Sequence, residues 1–113
     1  MKIVTAYIQA FMVEKVTDAL RGQEVHGVTV LECKGFGRRA KGDEPRYEDK
    51  GIDMGFAPKA KLEIICCDRE VDGIVETIRQ NARTGRHGDG KVFVWDVAEA
   101  VDVKTGERGE EML

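Results

Sequence analysis

The sequence predicts an α+β fold in which two helices cover one face of a four-stranded antiparallel sheet. Four short segments are rich in β-forming residues, two segments carry apolar residues at helical spacing, and they follow one another in the order βαββαβ. The chain has 113 residues, 42% of them hydrophobic, which is enough for one small core. We therefore expect a single domain over residues 1–113.

The first half of the chain predicts a strand, a helix and a second strand. Residues 1–9 are mostly β-forming and predict the first strand. Residues 11–21 predict a helix, because their apolar positions share one face and Gly22 follows as a stop signal. Residues 26–34 predict the second strand.

The second half repeats this pattern and ends in a tail. Residues 60–67 alternate as a half-buried strand does, and residues 70–82 have helical spacing. Residues 91–97 predict the last strand, and residues 98–113 form a tail with a short extended piece at 100–104. The simplest fold with this order of elements is the ferredoxin-like sandwich.

A long charged segment separates the second and third predicted strands. Hairpin connections usually contain 2–5 residues, whereas roughly 20 residues lie here, broken by glycine and proline. We expect most of this segment to be an exposed loop that recognises a ligand or partner.

Composition and charge exclude several classes of protein. A net charge of −3 gives no general case for nucleic-acid binding. No apolar run approaches 18 residues and no basic-then-apolar leader is visible, which predicts a cytoplasmic protein without direct membrane insertion. Cys33, Cys66 and Cys67 are expected to be buried strand thiols; a metal or redox site is the alternative, but two histidines offer little support for a metal cage.

The sequence TGRHGDGK at residues 84–91 is the strongest local motif. Its three glycines and the cations Arg86 and Lys91 can form a nest for an anion such as phosphate. The motif runs from helix to strand and Val92 follows Lys91, so it is not a Walker-type loop. The alternative is a helix C-cap at Gly85 followed by an ordinary tight turn.

Three separated stretches share a resemblance: KGFGR at residues 34–38, the glycine motif continuing into residues 92–94, and KTGERG at residues 104–109. Together they resemble the PII (P-II) signal-transduction family over nearly the whole chain. The resemblance implies a ferredoxin-like homotrimer in which ATP and ADP compete for clefts between subunits. It also implies a T-loop at about residues 37–55, a B-loop at about 82–91 and a C-terminal loop at about 101–109.

The resemblance assigns candidate roles to individual residues. A phosphate cradle would include Gly88, Gly90 and Lys91, and the remaining nucleotide-binding candidates are Tyr7, Thr29, Gly35, Phe36, Gly37, Arg38, Glu63, Ile65, Thr84, Asp89 and Lys104. Of these, Thr29, Glu63 and Ile65 would face the adenine and ribose. Lys59 matches a lysine that binds a second effector, 2-oxoglutarate, in the family, and the T-loop residues expected to bind a protein partner are Arg39, Lys41 and Tyr47.

The chain departs from the family pattern at several positions. Ile52 stands where the family has a modifiable tyrosine, and Arg39 replaces a glutamine that helps to bind Mg²⁺ and 2-oxoglutarate. Arginine has no acceptor atom, which argues against Mg²⁺ and against the usual mode of 2-oxoglutarate binding. Asp102 and Lys104 occupy the positions of two phosphate-binding arginines. A carboxylate at the first position would repel a triphosphate, and lysine offers a point charge where arginine offers a two-pronged donor. We therefore expect ATP to lose affinity relative to ADP or AMP.

The function expected from these observations is that of a sensor and not of an enzyme. No nucleophile–base pair and no convergent carboxylates are visible near the glycine motif. The leading hypothesis is an adenine-nucleotide sensor in nitrogen or related metabolism that controls a transporter, an enzyme or a transcription regulator through its T-loop. The alternative is a PII-like sensor of a small molecule or metal ion, linked to a transport or inorganic-carbon system.

Overall fold

The computed structural model describes residues 1–37 and 55–113, and these form the expected ferredoxin-like layout. Its main elements are β1 (Lys2–Gln9), α1 (Val13–Gly22), β2 (Thr29–Gly35), β3 (Ala57–Cys66), α2 (Val71–Ala82) and β4 (Gly90–Asp96). Single 3₁₀ turns lie at Ala10–Met12, Asp68–Glu70 and Glu110–Met112. All strand pairs are antiparallel, and the strand order is β2-β3-β1-β4, which confirms the predicted fold class.

One face of the sheet carries the core. Because side chains alternate along a strand, every second residue of β1 and β3 points towards the helices. The helices meet these residues with apolar side chains spaced four apart, which lie on one side of a helix. The buried set consists of Val4, Ala6, Ile8, Val16, Leu20, Ala60, Leu62, Ile64, Cys66, Ile74, Ile78 and Ala82.

The opposite face of the sheet has no helix on it among the described residues. The register places Tyr7 opposite Lys91 and Ile3 opposite Trp95 on this open face. Tyr7 is 40% exposed, Leu31 and Phe93 are each 45% exposed, and Trp95 is 60% exposed. The open face is therefore a broad apolar surface that faces solvent in a single chain.

Several boundaries differ from the sequence prediction by one to three residues: α1 begins at Val13 and not at residue 11, and β2 begins at Thr29 and not at residue 26. β3 begins at Ala57 and contains Pro58, although proline usually ends a strand. Pro58 pairs only with Lys34 of β2, beyond the last β1 pair at Lys59, so its missing N–H falls at the end of the ladder. The predicted extended piece at 100–104 is wrong, because residues 103–105 form a turn.

Two of the three cysteines are buried, at the end of β3 and directly after it. Cys66 is buried at the end of β3, as predicted, Cys67 is buried but directly follows the strand, and Cys33 in β2 is half-buried. Burial raises the pKa of Cys66. A hydrogen bond to Glu110, together with burial, raises the pKa of Cys67 to about 12. These two thiols are therefore protonated at neutral pH and poor nucleophiles.

No helix within residues 1–37 and 55–113 is long and apolar enough to cross a membrane.

Candidate functional site

The glycine loop, residues 83–89, connects α2 to β4 and is closed by Asp89. Its Oδ2 accepts hydrogen bonds from the backbone N–H groups of Thr84 and Gly85, each at 2.8 Å. Its Oδ1 accepts a third from the Thr84 hydroxyl, and the Thr84 Oγ1 in turn accepts the N–H of Arg86 at 3.1 Å. These hydrogen bonds lower the pKa of Asp89, and the Thr84 hydroxyl contributes more than either of the two backbone donors. The carboxylate therefore stays ionised and holds the two ends of the loop together.

Two glycines let this loop lie directly against β1. Gly88 has a φ of +91° and Gly90 a φ of +115°, values that side chains rarely adopt. A Cβ at Gly90 would overlap the carbonyl oxygen of Tyr7. Glycine is thus required at position 90 by the fold itself.

Lys59 joins the start of β3 to the glycine loop. Its ammonium Nζ donates a hydrogen bond to the carbonyl oxygen of Gly88 at 2.5 Å. Lys59, which the sequence analysis assigned to a second effector, therefore lies beside the residues expected to bind phosphate. Its positive charge can act on both of these candidate sites.

The two glycine-containing motifs meet in one cleft of about 410 Å³. It is lined by Tyr7, Cys33, Lys34, Gly35, Phe36, Gly37, Lys59, Gly90, Lys91 and Phe93. Three of these residues are lysines, three are aromatic and none is acidic, so the lining combines positive charge with flat apolar surfaces. Such a lining can bind an anion that carries an aromatic ring.

The aromatic residues at the cleft contact one another. The rings of Tyr7 and Phe93 meet edge to face, with centroids 6.3 Å apart. Phe36 meets Phe56 in the same way at 5.0 Å. This second pair joins the segment after β2 to the residue directly before β3.

The candidate base-binding residues lie elsewhere on the same open face. Thr29 pairs with Glu63 across β2 and β3, and Ile65 pairs with Ile3 across β3 and β1. Glu63 lies four residues from Lys59 along β3, which corresponds to about 13 Å. The structure therefore places Thr29, Glu63 and Ile65 on the face of the cleft but not in the cleft lining.

The C-terminal loop, residues 101–109, is organised by Asp102. Its Oδ1 accepts the backbone N–H groups of Lys104 at 2.8 Å and Thr105 at 3.0 Å, which lowers the pKa of Asp102. A bridge between Val101 and Arg108 closes the base of the loop. Lys104 lies on this turn and not in the cleft lining of the same chain.

Sequence reasoning missed what the two aspartates do. Asp89 was assigned to nucleotide binding, and Asp102 was interpreted as a repulsive charge near phosphate. Each accepts hydrogen bonds from residues of its own loop, a role that the sequence analysis did not predict. The available signal was an aspartate close to a Thr-Gly pair, which is typical of side-chain-stabilised turns.

Some predicted residues fall outside the described part of the chain. These are Arg38, Arg39, Lys41, Tyr47 and Ile52, within residues 38–54. Among residues 1–37 and 55–113, no group of three or more His, Cys, Asp or Glu side chains could hold a metal ion.

Comparison with known proteins agrees with this arrangement. Residues 1–107 match the family model described as Nitrogen regulatory protein P-II. Proteins with that same name are similar over nearly the whole chain. The protein from Mesorhizobium japonicum is 43% identical over 109 residues, which cover 96% of each chain. The protein from Rhodospirillum rubrum is 42% identical over 113 residues, 100% of each chain, and that from Klebsiella oxytoca is 43% identical over 110 residues, 97% of each.

The architecture, the joined glycine motifs and these similarities lead to one conclusion: the chain belongs to the P-II family of nitrogen regulatory signal-transduction proteins.

Proposed function

We propose that this protein is an adenine-nucleotide sensor that regulates a partner protein through its T-loop. The observation that carries the proposal is that the KGFG motif and the last two residues of the GDGK motif, Gly90 and Lys91, are far apart in sequence but line one cationic and aromatic cleft. Lys91 and the backbone at Gly88 and Gly90 would bind phosphate oxygens, and Gly35 and Gly37 would form the opposite wall.

The steric demands on these glycines support this division of roles. A Cβ at Gly37 would meet no described atom within 4 Å, and one at Gly35 would make only ordinary contact with Lys59. The described part of the chain thus gives no steric reason for glycine at these two positions. A ligand that approaches the backbone closely would supply that reason.

A homotrimer would complete the site. The apolar open face needs a covering partner, and a small, highly charged domain gains stability by oligomerising. Thr29, Glu63 and Ile65 of one protomer would then face the adenine and ribose of a nucleotide held in the cleft of its neighbour. Glu63 accepts a hydrogen bond from Lys61 at 2.9 Å and has further acceptor capacity for an exocyclic amine.

The number of phosphates is governed by the C-terminal loop. Asp102 accepts hydrogen bonds from its own turn, which keep its carboxylate ionised, so its negative charge still opposes a nearby phosphate. Lys104 still offers a point charge where an arginine would offer a two-pronged donor. This loop should therefore add less to the affinity for ATP than it would with arginines at these positions. The affinity for ADP or AMP is then higher relative to that for ATP.

The wider role follows from the family. P-II proteins are regulators and not enzymes, and we assign this chain a non-catalytic role in the cytoplasm. Its T-loop, with Arg39, Lys41 and Tyr47, would dock on a partner such as a membrane transporter, an enzyme or a transcription regulator. Lys59 would bind the carboxylate of a second effector; sensing of such a small molecule alone is the second candidate function.

Calorimetry of the purified protein with ADP, ATP and AMP tests the proposal. We expect saturable ADP binding without added Mg²⁺, and ATP binding no tighter than ADP binding. ATP clearly tightest of the three would contradict the phosphate argument. Absence of binding by all three would contradict nucleotide sensing, and a partner pull-down unchanged by nucleotide would contradict the switch.

A further inference from the structure

We propose that Asp89 is a positioning residue of the phosphate cradle, which shapes the glycine loop through Thr84 and Gly85 and does not itself contact the nucleotide. This inference rests on the proposed function, because it concerns a residue of the proposed nucleotide site. The sequence analysis listed Asp89 only as a nucleotide-binding candidate and did not distinguish direct contact from positioning.

The first observation is that both oxygens of Asp89 are already engaged. Two backbone N–H groups reach Oδ2 and the Thr84 hydroxyl reaches Oδ1. A carboxylate has roughly four lone-pair directions, so three are used inside the loop. The carboxylate thus has little capacity left for a metal ion or a ribose hydroxyl.

The second observation is the direction of the side chain. Gly90 and Lys91 line the cleft on the open face, whereas Asp89 does not. Asp89 lines a groove on the helix side, between α2 and β4, together with Arg79 and Arg83, and Gly90 and Lys91 border both this groove and the cleft. The Asp89 side chain is therefore not part of the lining of the cleft in which phosphate would bind.

The third observation is the place of Asp89 in the chain. It lies between Gly88 and Gly90, both at positive φ. The hydrogen bonds that Asp89 accepts from residues at the start of the loop fix the path of the backbone through these two glycines. Without those bonds, Gly88 and Gly90 would be free to sample other conformations. The backbone N–H groups of the loop would then no longer be held in one arrangement for binding phosphate.

Three possible roles of Asp89 predict different effects of Asp89→Asn on ADP affinity. If the carboxylate faced phosphate without a metal, Asp89→Asn would remove a repulsion and tighten ADP binding. If it held Mg²⁺ against the phosphates, Asp89→Asn would weaken binding only when Mg²⁺ is present. As a positioning residue, it weakens ADP binding with or without Mg²⁺.

The experiment is calorimetry with ADP, in EDTA and again in Mg²⁺, on the intact oligomer. We expect Asp89→Asn to weaken ADP binding roughly tenfold in both buffers. Thr84→Val, which removes the hydroxyl donor, should weaken it roughly threefold, and Thr84→Ser should restore it. The Asp89→Asn/Thr84→Val double variant should be about as weak as Asp89→Asn alone, because both changes break the same contact.

Each other result overturns the inference. Tighter binding by Asp89→Asn or a loss confined to Mg²⁺ would assign Asp89 a direct contact, and additive losses in the double variant would show that Asp89 and Thr84 do not act through their shared hydrogen bond. If Asp89→Asn does not assemble, the Thr84 variants decide, and equal affinity of Thr84→Val and wild type overturns the proposal. Wild-type protein that binds no ADP would instead overturn the proposed function, so the wild-type isotherm distinguishes the two failures.

Discussion

The glycine loop and the C-terminal loop are each closed by one aspartate, but they differ in how the rest of the fold constrains them. Asp89 reaches back to Thr84 and Gly85 in a loop that lies against β1, where Gly90 has no room for a side chain. Asp102 reaches forward to Lys104 and Thr105, in a loop whose Gly106 has open space around it.

This difference separates a preformed part of the site from an adjustable one. The glycine loop is fixed by its own hydrogen bonds, by β1 and by Lys59, so it can present a ready cradle. The C-terminal loop is held by its own turn and by the bridge between Val101 and Arg108, with open space at Gly106, and we expect it to adjust to a ligand more readily than the glycine loop. We therefore expect the glycine loop to position a ligand that binds between the two loops, and the bound ligand to order the C-terminal loop.

The largest effect is expected from an alanine at Gly90, the first residue of β4, where the glycine loop ends. Gly90→Ala forces a Cβ into the Tyr7 carbonyl at a φ of +115°, and should lower the free energy of unfolding by about 4 kcal/mol or more. The matched control, Gly106→Ala, has a φ of +76° but open space, and should cost about 1–2 kcal/mol. Denaturant unfolding at a fixed protein concentration measures both. Equal costs would mean that the two loops are constrained alike.

A smaller effect is expected on ligand binding. Lys91→Ala should weaken ADP binding about tenfold, since Lys91 lines the preformed cleft. Lys104→Ala should weaken it only about threefold, because part of its contact energy is spent on ordering the loop. Lys15→Ala, on the exposed side of α1, controls for net charge and should leave affinity unchanged. A larger loss at Lys104 than at Lys91 would reverse the comparison.

The smallest effect is a local response to pH. The pKa of Asp102 in the folded chain lies below its ordinary value of 3.8, because the backbone N–H groups of Thr105 and Lys104 favour the carboxylate. Its contribution to the turn is therefore complete above that ordinary value and is lost as the pH falls through the lower folded value. Amide chemical shifts of Lys104 and Thr105 should follow this titration, and Asp102→Asn should abolish it. A midpoint at or above 3.8 would contradict the turn.

Much of the fold could be predicted from the sequence because its periodicity is strong. Alternation in residues 60–67 and helical spacing in residues 70–82 determine which side chains enter the core, and the structure buries Leu62, Ile64 and Ile78 as expected. The start of β3 could not be predicted in this way. Pro58 indicates a strand break, and only the offset between the ends of β1 and β2 makes it acceptable.

The candidate site could be predicted only as a set of residue types. The glycine motifs identified the two walls, and the structure brings Gly35, Gly37, Gly90 and Lys91 into one cleft. The partners of Asp89 could not be read from the motif, since an aspartate beside glycines can equally bind a metal ion, a ligand or its own backbone. Only the closed path of residues 84–89 determines which of these it does.

Trp95 makes the open face directly observable by spectroscopy. It is the single tryptophan of the sequence, and it lies on this face with 60% of its surface exposed in the isolated chain. Indole fluorescence shifts to shorter wavelength when water is removed from the ring. The emission maximum of the unlabelled protein therefore reports whether this face is bare or covered, and dilution followed by fluorescence gives the strength of subunit association.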